Sequence, residues 1–140
     1  MNKEVKYIIL LPFFLFVQIY ILNEVMFASY INPYLYLIIL FVMPFKTQKW
    51  FLLIYAFILG LSVDIFSETL GMHSSSCLII ALLKQSITKI TIPHNIIEEN
   101  DELISQKIGV KSFILFTSIL VFIHHSILFV LEHASIDFRI

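Results

Sequence analysis

The sequence predicts an all-α fold, a polytopic transmembrane helix bundle, and three observations predict it. Of the 140 residues 59% are hydrophobic and 14% are charged, whereas a soluble domain carries roughly 45–50% and about 25%. The apolar residues gather into five runs bounded by polar residues, and within each run they occupy every helix face instead of alternating. That pattern belongs to lipid-embedded helices and not to barrel strands. The lysines, finally, cluster at alternate connections between the runs, as the positive-inside rule requires of a chain that crosses a bilayer repeatedly. A soluble bundle is the competing class, but too few charged residues remain to cover so apolar a core.

Taken in order, the elements form a single transmembrane domain over residues 1–140. The first span, 7–22, is long enough to cross about 30 Å of hydrocarbon, which takes about 20 residues, and is closed by Asn23 and Glu24. Lys3 and Lys6 precede it in the manner of a secretory signal, but the run is long and no A-x-A site follows, so an uncleaved first helix is expected. The second run, 34–45, is short and reaches crossing length only when extended back to 25. The third, 50–66, opens on Trp50. The fourth, 70–83, extends through more polar residues to give a span over 70–90, and Pro93 can end that helix. The cytoplasmic loop 91–109 follows, "TIPHNIIEENDELISQKIG", whose acidic residues Glu98, Glu99, Asp101 and Glu102 are either a solvated loop or a docking patch. The fifth span is 110–131.

Lys3 and Lys6 precede the first span, Lys46 and Lys49 separate the second from the third, and Lys84, Lys89, Lys107 and Lys111 bracket the connection from fourth to fifth. The other two connections carry no Lys or Arg, so the N-terminus is placed in the cytoplasm and, after five crossings, the C-terminal tail outside it. Arg139 alone of the nine basic residues falls outside the pattern.

Several function classes lose support from the same residues. Three glycines and no basic stripe leave little material for a phosphate loop or a nucleic-acid surface. Cys77 is the only cysteine, so no internal disulfide or CxxC motif can form, and its apolar surroundings suit a packed thiol. No G-x-S-x-G elbow or Ser/His/Asp spacing marks a catalytic site. No cofactor is implied.

The candidate site residues lie near the outer end of the third span, in "AFILGLSVDIFSETLGMH". Ala56, Gly60 and Asp64 are four apart and share a helix face, and small residues at that spacing let a second backbone approach closely. Gly71 with Ser75, and Cys77 with Ala81, repeat the spacing in the fourth span, which predicts a tight hairpin of the two helices. Asp64 then points into the bundle, where the hydroxyls of Ser74, Ser75 and Ser76 or the first backbone N–H groups of the fourth helix can bond it. Three readings stay open for it: a structural clasp, part of a partner interface, or a proton- or ligand-coupling site. A zinc site assembled from His125, His133, His73 and Asp64 lacks any local ligand spacing, so no metal is expected, and His124 and His125 read as neutral rings bonded within the bundle. Gln18 reads as helix-packing glue.

"INPYLYLIILFVMPF", then a lysine-bearing turn and a Trp-led span, then "GLSVDIFSETLGMHSSS" and "LIIALLK", resembles the bacterial rod shape-determining protein family MreD in its Bacteroidetes-like form. The ordered set Asn32-Pro33, Gly60-x-x-x-Asp64 and Gly71-Met72-His73 carries the resemblance, which covers about residues 5–138. It implies a non-enzymatic component of the bacterial inner membrane that acts in cell elongation with MreC, the actin-like MreB, RodA and a penicillin-binding transpeptidase to place peptidoglycan synthesis. It also implies an architecture similar to the substrate-binding subunits of energy-coupling-factor (ECF) vitamin transporters. From that similarity comes an alternative, a small-ligand-binding membrane subunit with Asp64, His73 and His125 lining a cavity. Family members usually carry a sixth span after a segment like "HASIDF". This sequence ends at Ile140, so a five-span form, or a bundle lacking its last helix, is the expectation.

Overall fold

The structure, a computed structural model, describes residues 2–24, 34–69, 71–96 and 102–137. Among them every regular element is helical: α1 (Lys3–Val17) continuing into a π-helical turn (Gln18–Leu22), α2 (Tyr36–Val42), α3 (Lys49–Ser67), α4 (Met72–Thr91), α5 (Ser105–Ile108) and α6 (Val110–Asp137). Three stretches are long and apolar enough to cross a membrane, Lys3–Leu22, Lys49–Ser67 and Val110–Ile136. Their outward faces are hydrocarbon-like: Ile8, Ile9, Phe13 and Phe16 on α1, Ile54, Ile58 and Ile65 on α3, and Ile114, Phe122 and Phe129 on α6 are all exposed. Exposure of this kind suits surroundings of lipid or of apolar partner surfaces.

The helix between these three is α4, which packs along α3 on one side and α6 on the other. It has the length of a crossing, 20 residues, but carries Ser74, Ser75, Ser76, Lys84, Gln85, Thr88, Lys89 and Thr91. Its buried side chains run from His73 through Cys77, Ile80, Ala81, Lys84 and Thr88 to Thr91, so six polar residues, His73, Ser74, Ser76, Lys84, Thr88 and Thr91, are sheltered by neighbours, while Ser75 and Lys89 are exposed. The hydroxyls of Ser76, Thr88 and Thr91 each donate to a carbonyl four residues back, which satisfies them without leaving the helix.

One element differs from the sequence expectation and another is described only in part. Of the second span, expected over 25–45, the described part holds the seven residues of α2, which rise about 10 Å at ~1.5 Å per residue, less than a crossing by themselves. Tyr36, Leu37, Ile39, Leu40 and Phe41 are buried, so α2 is a core element packed against α1, α3 and α4; residues 25–33 lie outside the described residues. The loop 91–109 is also partly packed. Leu103 and Ile108 are buried, the Leu103 N–H donates to the Val42 carbonyl at 3.0 Å, and a short helix, α5, precedes α6. Of the acidic run, Glu98, Glu99 and Asp101 lie outside the described residues. Glu102 is not simply solvated: it accepts from Lys6 Nζ and, at 2.9 Å, from Tyr7 Oη. This segment closes the end of the bundle where α1 begins, against α1 and α2.

Lys84 is a further correction. Read in the sequence as a marker of the cytoplasmic connection, it is fully buried, with Nζ donating to the carbonyls of Leu40 at 2.9 Å and Met43 at 2.7 Å. Those carbonyls belong to the last turn of α2, whose acceptors have no partner within their own helix. A cation there also opposes the negative end of the helix dipole.

Candidate functional site

α3 ends where Glu68 takes a left-handed conformation (φ 55°) and the Thr69 N–H turns back to the Asp64 carbonyl at 3.1 Å. Gly71, at φ 77°, then starts α4 from a backbone conformation that a side chain disfavours. A helix start normally takes an oxygen from its own N-cap side chain to bond the amides of the second and third helical residues. Gly71 has no such oxygen. Asp64, one helix away, supplies it: Oδ1 accepts from the His73 N–H at 2.9 Å and Oδ2 from the Ser74 N–H at 2.9 Å.

Two side chains complete the carboxylate's shell. Thr69 Oγ1 donates to Oδ1 at 2.6 Å, and His73 Nδ1 lies 3.0 Å from the same oxygen. With Nδ1–H committed to Asp64, His73 Nε2 carries the lone pair of the neutral ring, a tautomer assigned from its hydrogen bonds. Asp64 is 3% exposed and His73 5%, so this is a buried, hydrogen-bonded carboxylate at the positive end of a helix, where its charge is best tolerated.

The hairpin that brings these groups together rests on Gly60. A Cβ placed there would lie 2.4 Å from Ser74 Cα and 2.7 Å from both the His73 oxygen and the Ser74 nitrogen, all of them backbone atoms. Ala56, one turn earlier on the same face, is fully buried. The expected close approach of α3 and α4 along Ala56, Gly60 and Asp64 is therefore present, and Cys77 and Ala81 are buried on the facing helix. Gly71 and Ser75 are no packing pair, since Gly71 precedes α4 as its cap residue and Ser75 is exposed. The hydroxyls of Ser75 and Ser76 donate to the Gly71 and Met72 carbonyls, so the clasp rests on backbone amides, with the Ser74 hydroxyl shared between the Gly71 carbonyl and Asp64. Asn32 and Pro33 lie outside the described residues.

Around the clasp a wider polar layer crosses the bundle. Tyr36 Oη meets His124 Nε2 at 3.2 Å, linking α2 to α6. Gln18, fully buried, donates to Asn23 Oδ1 at 3.0 Å and accepts the Tyr36 N–H at 3.4 Å, while Asn23 reaches Ser67 Oγ at 3.3 Å. Gln18 is thus the packing glue that a polar residue in an apolar helix suggests. Tyr34 touches His73, His124 and His125 with ring centroids at 5.3, 5.8 and 5.3 Å. Two atoms in the layer, His73 Nε2 and His124 Nδ1, are buried without a hydrogen-bond partner among the described residues.

Sequence reasoning missed Thr69, Tyr36 and Lys84 as site or core-polar residues. Thr69 had a usable signal, a hydroxyl in the short turn between an intramembrane aspartate and the next helix. Tyr36 had none, because a tyrosine in an aromatic run reads as packing. Among the described residues no three His, Cys, Asp or Glu side chains are placed to hold a metal ion. His125 and His133 are exposed, and Asp64 is occupied by the start of α4.

Comparison of the chain with family models, with curated proteins and with solved structures finds no match.

Proposed function

We infer that this chain is a non-enzymatic scaffold of the bacterial inner membrane, of the MreD type, which joins an MreC-like membrane protein to the cell-elongation machinery. MreB, RodA and a penicillin-binding transpeptidase are the further partners that the resemblance implies. The observation that carries the reading is the use to which the most polar constellation is put. The hydrogen bonds of the Asp64 carboxylate go to the start of α4 or to the turn before it, the chemistry of a structural clasp rather than of an acid awaiting a substrate. The contacts left for function are then helix faces and the outer turn 67–71.

The five-span topology belongs to this reading. α4 makes the fourth crossing under the shelter of α3 and α6, and α2 lies within the second. The N-terminus is cytoplasmic and the C-terminus outside.

Co-purification of the full chain from membranes tests the function. Enrichment of the MreC-like protein over unrelated membrane proteins is expected, and equal recovery of both sinks the reading. For orientation, on a Cys77→Ala background, Ser67→Cys should react with an impermeant maleimide outside intact cells while Lys107→Cys stays protected; labelling of the latter overturns the topology.

A further inference from the structure

Between the C-terminal half of α6 and Tyr34 runs a groove of two adjoining depressions, about 290 and 610 Å³, which share Tyr34, Leu128 and Glu132. His73 lines the first and His125 the second. Polar groups in this lining have an unusual balance. Each proton that Thr69, Ser126, Ser135, His73 and His125 can donate is already committed within the protein: Thr69 and His73 to Asp64, Ser126 to the Phe122 carbonyl, Ser135 to the Glu132 carbonyl, and His125 Nδ1–H to the Val121 carbonyl. What remains is mostly acceptors, the Tyr34 hydroxyl being able both to donate and to accept. His73 Nε2 is buried and unpartnered among the described residues, His125 presents Nε2, Glu132 its carboxylate and Tyr34 its ring face.

A groove rich in acceptors and poor in donors recognises a group that brings several protons of its own, and a carboxylate beside an aromatic face selects a positive one. The rest of the wall is hydrocarbon, with Phe122, Phe129 and Ile136 exposed along it. Glu132 follows Lys111 by about 31 Å of helix at ~1.5 Å per residue, which sets it at the outer boundary of the hydrocarbon if Lys111 marks the inner one.

We propose that this groove binds the primary ammonium group of an amphiphile at the outer membrane surface, with Glu132 and His73 Nε2 accepting its N–H bonds, the Tyr34 ring beside it, and α6 carrying its hydrocarbon chain. Neither the clasp nor the scaffold reading requires it. The ammonium can come from an ethanolamine lipid or from a soluble long-chain amine, and the test separates the two.

The full chain in dodecylmaltoside micelles is titrated with dodecylamine and, in parallel, with dodecyltrimethylammonium, which keeps the charge but has no N–H donor. The Tm rises saturably with the amine alone. Glu132→Gln, an exposed change that leaves the ligand-free Tm in place, weakens that binding about tenfold, the ratio expected for one lost charge-assisted hydrogen bond. Equal responses to both amphiphiles, or unchanged affinity in Glu132→Gln, overturn the proposal. Native mass spectrometry from bilayers of mixed ethanolamine and choline lipids gives the source. Retention of ethanolamine lipid by the wild type and not by Glu132→Gln assigns the site to lipid. A dodecylamine response without such retention assigns it to a soluble amine, and the absence of both signals refutes the site.

Discussion

Replacing Gly60 by alanine tests the packing on which the site depends. In a helix interior Gly→Ala ordinarily stabilises by about 0.5–1 kcal/mol, because alanine loses less backbone entropy on folding. Here the added methyl would meet Ser74 Cα at 2.4 Å, with the His73 oxygen and Ser74 nitrogen at 2.7 Å. Non-bonded carbons prefer about 3.5–4.0 Å, so relief requires the two backbones to part by roughly 1 Å or more. No rotamer change can supply it, since all three atoms are main chain. Asp64 sits one turn further along the same face, and its bonds to the His73 and Ser74 amides, both 2.9 Å, lengthen past hydrogen-bonding range under the same displacement. Overpacking costs about 1–3 kcal/mol and a hydrogen bond to a charged group contributes about 1.5–3 kcal/mol. With partial relaxation, a net loss of about 3–5 kcal/mol is expected. Reversible unfolding of the full chain in mixed micelles, followed by helical circular dichroism, measures it. The sign decides: a Gly60→Ala protein as stable as wild type, or more so, refutes the close approach of α3 and α4 and with it the clasp geometry.

Asp64→Ala removes the hydrogen bonds to the carboxylate and should lose about 3 kcal/mol or more, whereas Asp64→Asn keeps one carbonyl oxygen but turns an NH₂ toward an amide donor, so it should fall between wild type and alanine; wild-type stability of both variants in the same unfolding assay would show that the site holds nothing. Lys84→Met preserves the apolar stem but strands the Leu40 and Met43 carbonyls, at about 1–3 kcal/mol offset in part by relief of a buried charge. Faster amide exchange confined to 38–42 is its signature, and unchanged exchange there contradicts the capping role. At the end of the bundle where α1 begins, burial alone would raise the Glu102 carboxyl, but hydrogen bonds from Lys6 and Tyr7 and the nearby lysine charges carry it below the usual carboxylate range. A folded-state value below the unfolded one means that its contribution is complete above the unfolded value and lost as pH falls through the folded one. Because the pair is partly exposed the effect stays under about 1 kcal/mol, and the stability gap between wild type and Glu102→Gln should close as pH drops below about 4.3; a gap independent of pH removes the ion pair from the account.

How much of this was legible in the residues depends on the range of the interaction concerned. Helicity, lipid exposure and the α3–α4 hairpin follow from local rules, because apolar content on every face and small residues four apart act within one or two turns of the same helix. The inward turn of Asp64 follows too, since Ala56 and Gly60 fix the face it shares. Its exact partners do not. Whether a carboxylate meets serine hydroxyls or backbone amides depends on where the next helix begins, and Gly71, which looks like a packing residue by spacing, instead sets that start by adopting a positive φ. The hydroxyls of Ser75 and Ser76, which seemed available, are captured by the Gly71 and Met72 carbonyls at the start of their own helix, a local competition that tertiary bonding rarely wins. Lys84 misled for the opposite reason. The positive-inside rule reads every lysine as a headgroup-facing charge, but a lysine on a central helix can also bring its ammonium to the open carbonyls of a neighbour's last turn. The shortness of α2 is what creates those acceptors inside the core. Both errors have one physical source: the ends of helices, where unpaired amides and carbonyls gather, are fixed by packing between elements, and it is at those ends that this protein places its buried charges.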